Sequence, residues 1–117
     1  MTSSLTQSKT EFLTEALIEQ VNDNWKITSL ENGRNFYSVL TYEVAKKYIK
    51  VFNSRVYGDQ SRNGRSVFMF IDKETGACYK PASYKAPAKG IRFYIDSLVE
   101  TPEVVDQYGS FLYLRGA

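Results

Sequence analysis

Basic and aromatic side chains are interleaved in the segment from residue 79 to residue 94. Tyr79, Tyr84 and Tyr94 are spread through it, and four lysines and arginines lie between them. Lysine and arginine neutralise phosphates and release condensed counterions, while aromatic rings stack on bases. Any one of these lysines is explained as well by the solvated side of a strand, but the cluster predicts a nucleic-acid-binding surface. The candidate residues are Arg62, Arg65, Lys80, Tyr84, Lys85, Lys89 and Arg92.

Residues 80–90 form a loop of unusual composition. It holds two prolines and three lysines, and Tyr84 is almost its only side chain with much apolar surface to bury. Each proline biases the preceding residue towards extended geometry, so we expect a stiff loop. The fold does not obviously need such a loop, which makes it the first place to look for contact with a partner.

Charge is distributed unevenly along the 117 residues. The net charge is only +2, but residues 46–92 hold eleven basic and three acidic residues, a net +8. Residues 1–45 and 93–117 each carry a net −3. A basic middle steers the protein towards an anionic partner, either nucleic acid or an acidic protein. It also allows a homo-oligomer in which the acidic ends of one copy meet the basic middle of another.

The composition of the chain argues against an enzyme. The chain has no histidine and one cysteine, which removes the commonest general base and the usual zinc sites. Cys78 lies in a predicted strand, where a half-buried thiol is expected rather than a nucleophile. Two groups of acidic residues are explained more simply by local structure than by catalysis or metal binding. Asp72 and Glu74 suit a turn. The second group suits the solvated face of a helix, and it comprises Asp96, Glu100, Glu103 and Asp106. The sequence therefore predicts no enzymatic activity, no catalytic residue, no metal site and no cofactor.

The N-terminal part of the chain predicts a flexible tail followed by an amphipathic helix. Residues 1–7 are the tail, and residues 8–117 are expected to form one domain. Ser8 and Glu11 have the spacing of a capping box, so the helix is predicted over 9–21 and to end at Asn22-Asp23-Asn24. Its apolar face, with three- and four-residue spacing, comprises Phe12, Leu13, Ala16, Leu17 and Val21, and Ile18 would widen it.

Strand signals follow the helix. Residues 25–30 alternate as a strand would, and Asn32-Gly33 is a strong hairpin signal. Further strands are predicted over 35–44, 47–57, 67–71, 77–80 and 111–114. A short helix capped by Thr41 and running through Lys47 is the alternative to the end of the first of these. The apolar run 67–71 predicts a central strand covered on both faces. The predicted fold is therefore α+β, an N-terminal amphipathic helix packed on a four- to five-stranded antiparallel meander.

The run FIDKETGACYKPASYKAPAKGIRF is similar to a recurring pattern in small, uncharacterised tailed-phage proteins. That pattern has an F-I/V-D-K-x-T-G turn followed by K-x-A-S-aromatic-K-A-P-A-K, and its most specific part is Lys85–Lys89. The resemblance covers roughly residues 42–114, and Pro81 departs from it because alanine is expected there. It implies a phage origin and a protein made in the cytoplasm of a bacterial host, and it brings no activity or catalytic residue.

Nucleic acid is the first choice of partner, and a protein is the alternative. In that alternative the chain is a virion component or a host-takeover factor that docks on an acidic host protein. No membrane association is expected, because no apolar run approaches the ~20 residues of a membrane span and residues 1–10 lack the features of a signal peptide.

Overall fold

In the part of the chain that the structure describes, five antiparallel strands form one sheet, and a long N-terminal helix covers one of its faces. The computed structural model describes the backbone of residues 2–57, 64–106 and 109–113, with side chains for 9–57, 64–106 and 109–112. The elements in chain order are α1 (Thr2–Glu31), β1 (Phe36–Val44), β2 (Tyr48–Tyr57), β3 (Ser66–Asp72), β4 (Ala77–Tyr79), β5 (Phe93–Tyr94), α2 (Ile95–Glu100) and two 3-10 turns, Pro102–Val104 and Ser110–Tyr113. Neighbouring strands in the sheet are also neighbours in sequence. The predicted α+β meander is confirmed.

Helix α1 is longer than the sequence pattern predicts at both ends. It begins at Thr2, so Ser8 lies inside the helix and the predicted capping box does not start it. The mobility of residues 1–7 stays a prediction. The helix continues through Asn22-Asp23-Asn24 to Glu31, so the strand predicted over 25–30 is also wrong. Trp25 shows why, because as a helical residue it packs edge-on against Phe68, with ring centroids 6.3 Å apart.

Asn32-Gly33 ends α1 instead of forming a hairpin. Gly33 has φ +74°, its N–H donates to the Leu30 carbonyl, and the Arg34 N–H donates to the Ser29 carbonyl. These are the two hydrogen bonds of a Schellman cap. A hairpin turn and a Schellman cap both need a residue with positive φ, so the same dipeptide serves either structure.

The buried side of α1 packs on the sheet through side chains at helical spacing. Leu17, Ile18 and Val21 are buried, whereas Phe12, predicted on the apolar face, is 68% exposed. Asn22 fixes the helix to the edge strand β1: its side chain accepts from the Leu40 N–H at 2.8 Å and donates to the Leu40 carbonyl at 3.0 Å. The helix is thus held to the sheet by a polar clamp as well as by apolar contact.

The core under α1 comes from alternate residues of β2 and β3. Ile49 and Val51 of β2 pair with Ile71 and Met69 of β3, and all four are essentially inaccessible. The register shifts next to Val51, which leaves Phe68 as an extra residue on β3. The central position of β3, with both faces covered, is confirmed.

The β3–β4 connection is a tight turn built on one carboxylate. Asp72 accepts the N–H groups of Glu74 and Thr75, and Gly76 completes the turn with φ +77°. The predicted left-handed glycine is confirmed, and Asp72 serves turn chemistry as expected. At the C-terminal side, the predicted strand over 111–114 is wrong, because Ser110–Tyr113 is a 3-10 turn whose Phe111 packs 5.6 Å from the ring of Phe93.

Residues 80–90 fold back on themselves over the second face of the sheet. Pro81 and Pro87 form an isolated bridge, and the Ala88 N–H donates to the Lys80 carbonyl at 2.8 Å. The tip is closed by two N–H groups, those of Ala82 and Ser83, which both donate to the Ala86 carbonyl. The loop therefore has defined internal hydrogen bonds.

Among the described helices, none is long and apolar enough to cross a membrane.

Candidate nucleic-acid interface

The sheet face opposite α1 carries aromatic rings with cations above them. On β2, Lys50 and Phe52 alternate with Ile49 and Val51, which belong to the core under the helix. Phe52 is nevertheless inaccessible to solvent. Since α1 lies on the other face, the cover over Phe52 has to come from the loop and from neighbouring side chains.

Among the described residues, Arg65, Lys50 and Tyr84 contribute to that cover. The Arg65 guanidinium carbon lies 3.8 Å from the centroid of the Phe52 ring, the Lys50 Nζ lies 5.6 Å from it, and the Tyr84 ring is 5.9 Å away. Lys50 Nζ is also 4.1 Å from the centroid of the Tyr84 ring. Cations at such distances are attracted by the ring quadrupole. We call Lys50, Phe52, Arg65, Tyr84 and their neighbour Glu43 the Phe52 cluster.

Glu43 and the Tyr84 hydroxyl both bind Arg65. The Arg65 Nη1 donates to Glu43 Oε2 at 2.8 Å, and Nη2 donates to the Tyr84 hydroxyl at 3.5 Å. These two contacts, with Glu43 the larger cause, raise the pKa of Arg65. The ion pair is open to water, because the side chains of Arg65 and Glu43 are 41% and 56% exposed. Tyr84 is 52% exposed, so one edge of the cluster is accessible to a ligand.

A second group of tyrosines lies further along the same face. Tyr48 packs edge-on against Phe70 and Tyr79, with ring centroids 5.8 and 6.2 Å away. The Lys47 Nζ lies 5.3 Å from the centroid of the Tyr48 ring. Burial, and then the nearby carboxylate of Asp72, raise the pKa of Tyr79. Cations and partly exposed rings therefore continue across the sheet beyond the Phe52 cluster.

Nearly the whole chain matches one protein family. The model of a family of unknown function, DUF7717, matches residues 2–114. The chain belongs to DUF7717. No curated protein and no solved structure matches it. The DUF7717 description assigns no activity or ligand, so the chemistry of the face has to be argued from its own side chains.

In this DUF7717 protein, only some of the predicted site residues are seen to meet. Arg65 and Tyr84 are in contact in the Phe52 cluster. Lys85 and Lys89 are exposed on the loop that carries Tyr84. Lys80 is half-buried, and so is Arg92, whose Nε is buried without a hydrogen-bond partner among the described residues. Arg62 lies outside the described residues.

The site residues predicted from the sequence lie mostly on the loop and leave out several residues of this sheet face. Among them are Glu43, Lys47, Tyr48, Lys50 and Phe52. Alternation along β2 was the available signal for Tyr48 and Lys50, because it places them on the face opposite Ile49 and Val51. Nothing in the local sequence could show that Tyr84 and Arg65 meet above Phe52. The expectation that the fold does not need the loop is wrong for Tyr84, which helps to bury Phe52.

Proposed function

We propose that this chain is a phage-encoded, non-enzymatic accessory protein that binds nucleic acid in the host cytoplasm. The binding surface would combine the Phe52 cluster with the exposed lysines of the 80–90 loop. The observation that carries the proposal is the stacking of Lys50 and Arg65 on Phe52 and Tyr84, on the sheet face that α1 leaves free. The phage origin rests on the similarity of the segment around Lys85–Lys89 to tailed-phage proteins.

Physical chemistry supports nucleic acid as the anionic partner. A nucleic-acid strand presents phosphates at regular spacing, so a protein surface with several separated cations gains affinity from each phosphate that it neutralises. Lys85 and Lys89 are exposed on the loop, and Lys50 and Arg65 lie beside its tip, at Tyr84. Partly exposed tyrosines on the same face can also stack on unpaired bases.

Salt-dependent binding of oligonucleotides tests the proposal. Fluorescence anisotropy would measure the affinity for labelled single- and double-stranded oligonucleotides at low salt and then at increasing KCl. The variant Lys85→Glu with Lys89→Glu should abolish binding. The matched control is Lys9→Glu with Lys26→Glu, two exposed lysines of α1. Each double variant changes the net charge from +2 to −2, so a general charge effect would weaken both equally.

Two results would count against the proposal. Absence of binding to either oligonucleotide at low salt would exclude nucleic acid as the partner. If the double variant of Lys85 and Lys89 and the double variant of Lys9 and Lys26 weaken binding equally, the loop lysines contribute no more than their charge. Thermal unfolding followed by circular dichroism would establish that both double variants fold.

A protein–protein role is the second candidate, and the outer side of α1 favours it. Ile27 and Leu30 are 53% and 59% exposed and lie one turn apart on the helix. Phe12, at 68% exposure, lies five turns before Leu30 on the same side. A virion component or a host-takeover factor would use such apolar side chains at its interface. Replacing Ile27 and Leu30 by serine should then remove the protein from purified virions, or from its complex with a host protein, and leave oligonucleotide binding unchanged.

A further inference from the structure

Glu43 is an acidic residue in the middle of a basic surface. It is the register partner of Lys50 on the neighbouring strand, and its carboxylate lies 2.8 Å from Arg65 Nη1. A carboxylate in this position neutralises part of the charge that would attract a phosphate. The Phe52 cluster therefore already contains an anion where a ligand anion would bind.

We infer that Lys50, Arg65 and the Tyr84 hydroxyl form a phosphate subsite. In the free protein Glu43 is bound to Arg65, and a phosphate of the nucleic acid displaces it. The inference rests on the proposed function and adds to it the atoms that bind one phosphate. It also identifies an internal competitor for that position. Glu43 thereby lowers the affinity of the subsite for anionic ligands, nucleic acid included.

The geometry of Arg65 suits a phosphate. Its guanidinium carbon is 3.8 Å from the Phe52 ring centroid, a stacking distance that restricts the side chain. Stacking leaves the N–H groups in the guanidinium plane free to donate sideways, where two of them now reach Glu43 and Tyr84. Because the guanidinium fork matches carboxylate and phosphate oxygens alike, a phosphate can replace the carboxylate without moving Arg65.

Lys50 and Tyr84 complete the subsite. The Lys50 ammonium is held over the Tyr84 ring at 4.1 Å, and the hydroxyl of the same ring is hydrogen-bonded to Arg65. The tyrosine therefore links the two cations. A phosphate at this edge would be shared by two positive charges, whereas Glu43 contacts Arg65 alone among the ion pairs of the described residues.

Displacement of Glu43 is feasible because its ion pair with Arg65 is exposed. Both side chains keep about half of their surface in water, and ion pairs in such positions are weak and screened by salt. The released carboxylate would be solvated where it stands. Exchange of one anionic oxygen for another at Arg65 then costs little.

The test is a gain of affinity on removing the competitor. Glu43→Gln should bind a single-stranded oligonucleotide about two- to five-fold more tightly than the parent chain, the range expected for release of one exposed ion pair. The control Glu31→Gln removes the same charge from an exposed position at the end of α1, and should give a smaller gain. Arg65→Met keeps an unbranched apolar stem on Phe52 and loses the charge, so it should weaken binding and abolish the gain from Glu43→Gln.

The outcomes separate the inference from the proposed function. If Glu43→Gln and Glu31→Gln gain equally, or if the gain persists with Arg65→Met, the subsite is wrong although the oligonucleotide still binds. If the parent chain binds no oligonucleotide, the proposed function fails, and the nucleic-acid subsite fails with it. Inorganic phosphate, at an ionic strength matched with KCl, is the second ligand. Saturation by inorganic phosphate without oligonucleotide binding would assign the subsite to free phosphate and overturn its assignment to nucleic acid.

Discussion

Replacing Asn22 by alanine should weaken the attachment of α1 to the sheet. The Asn22 side chain makes two hydrogen bonds with the backbone of Leu40, at 2.8 and 3.0 Å, in a partly buried position. Leu40 belongs to β1, which is an edge strand of the described sheet. The amide side chain thus serves its backbone groups as another strand would, and it also shields an edge that could pair with another chain.

The size of the effect follows from the two bonds. A neutral hydrogen bond contributes a net ~0.5–1.5 kcal/mol, so losing both costs about 1–3 kcal/mol. Alanine returns roughly half a kcal/mol, because it is a better helix former than asparagine. Asn24 is the matched control, since it is also an asparagine within α1 and is exposed. Asn24→Ala should therefore be neutral or slightly stabilising, and the two variants should differ by about 1–3 kcal/mol.

Urea unfolding followed by the fluorescence of Trp25 measures this difference. Trp25 is the single tryptophan and packs against Phe68 in the core, so its emission reports loss of the contact between helix and sheet. The slope of the transition should stay the same and the midpoint of Asn22→Ala should fall. Coincident midpoints for Asn22→Ala and Asn24→Ala would refute the reasoning.

Three further predictions concern the β3–β4 hairpin. Gly76→Ala should lower the free energy of unfolding by about 2–5 kcal/mol. A non-glycine residue in the left-handed conformation costs ~1–2 kcal/mol. Crowding of the core costs a further ~1–3 kcal/mol, because the added Cβ would lie 2.9 Å from a side-chain carbon of Ile95. Gly33 has a similar φ, but an added Cβ there meets open space. Gly33→Ala should therefore lower the free energy of unfolding only by the cost of the left-handed backbone. If urea unfolding shows an equal loss of stability for the two variants, the overlap with Ile95 is contradicted. Burial raises the pKa of the Cys78 thiol, so a thiol reagent at pH 8 should label it only as the protein unfolds, and rapid labelling of the native protein would be the contrary result. Because the unfolded thiol ionises near pH 8.5 and the folded one at higher pH, the stability that Cys78 contributes should decline as the pH rises above about 8.5.

The candidate interface was only partly predictable from the sequence. The basic and aromatic composition of residues 79–94 drew attention to Tyr84 and its neighbours, and Tyr84 does lie in the Phe52 cluster. The other members come from β1, from β2 and from the residue that precedes β3, between 19 and 41 residues earlier in the chain. Composition and spacing report on neighbours along the chain, so they cannot bring together side chains that meet only when the loop folds over the sheet.

Local sequence alone determined strands β1 to β4 and the Gly76 turn, because alternation and a left-handed glycine act within a few residues. It did not determine where α1 ends. Residues 25–30 alternate as a strand would, and Asn22-Asp23-Asn24 would stop an isolated helix, but burial of Trp25 against Phe68 and the bonds from Asn22 to Leu40 occur only in the helical state. Tertiary contacts of this size outweigh local preferences of a few tenths of a kcal/mol per residue. The position of the helix end, and the covering of Phe52 by the loop, were therefore decided by the folded structure.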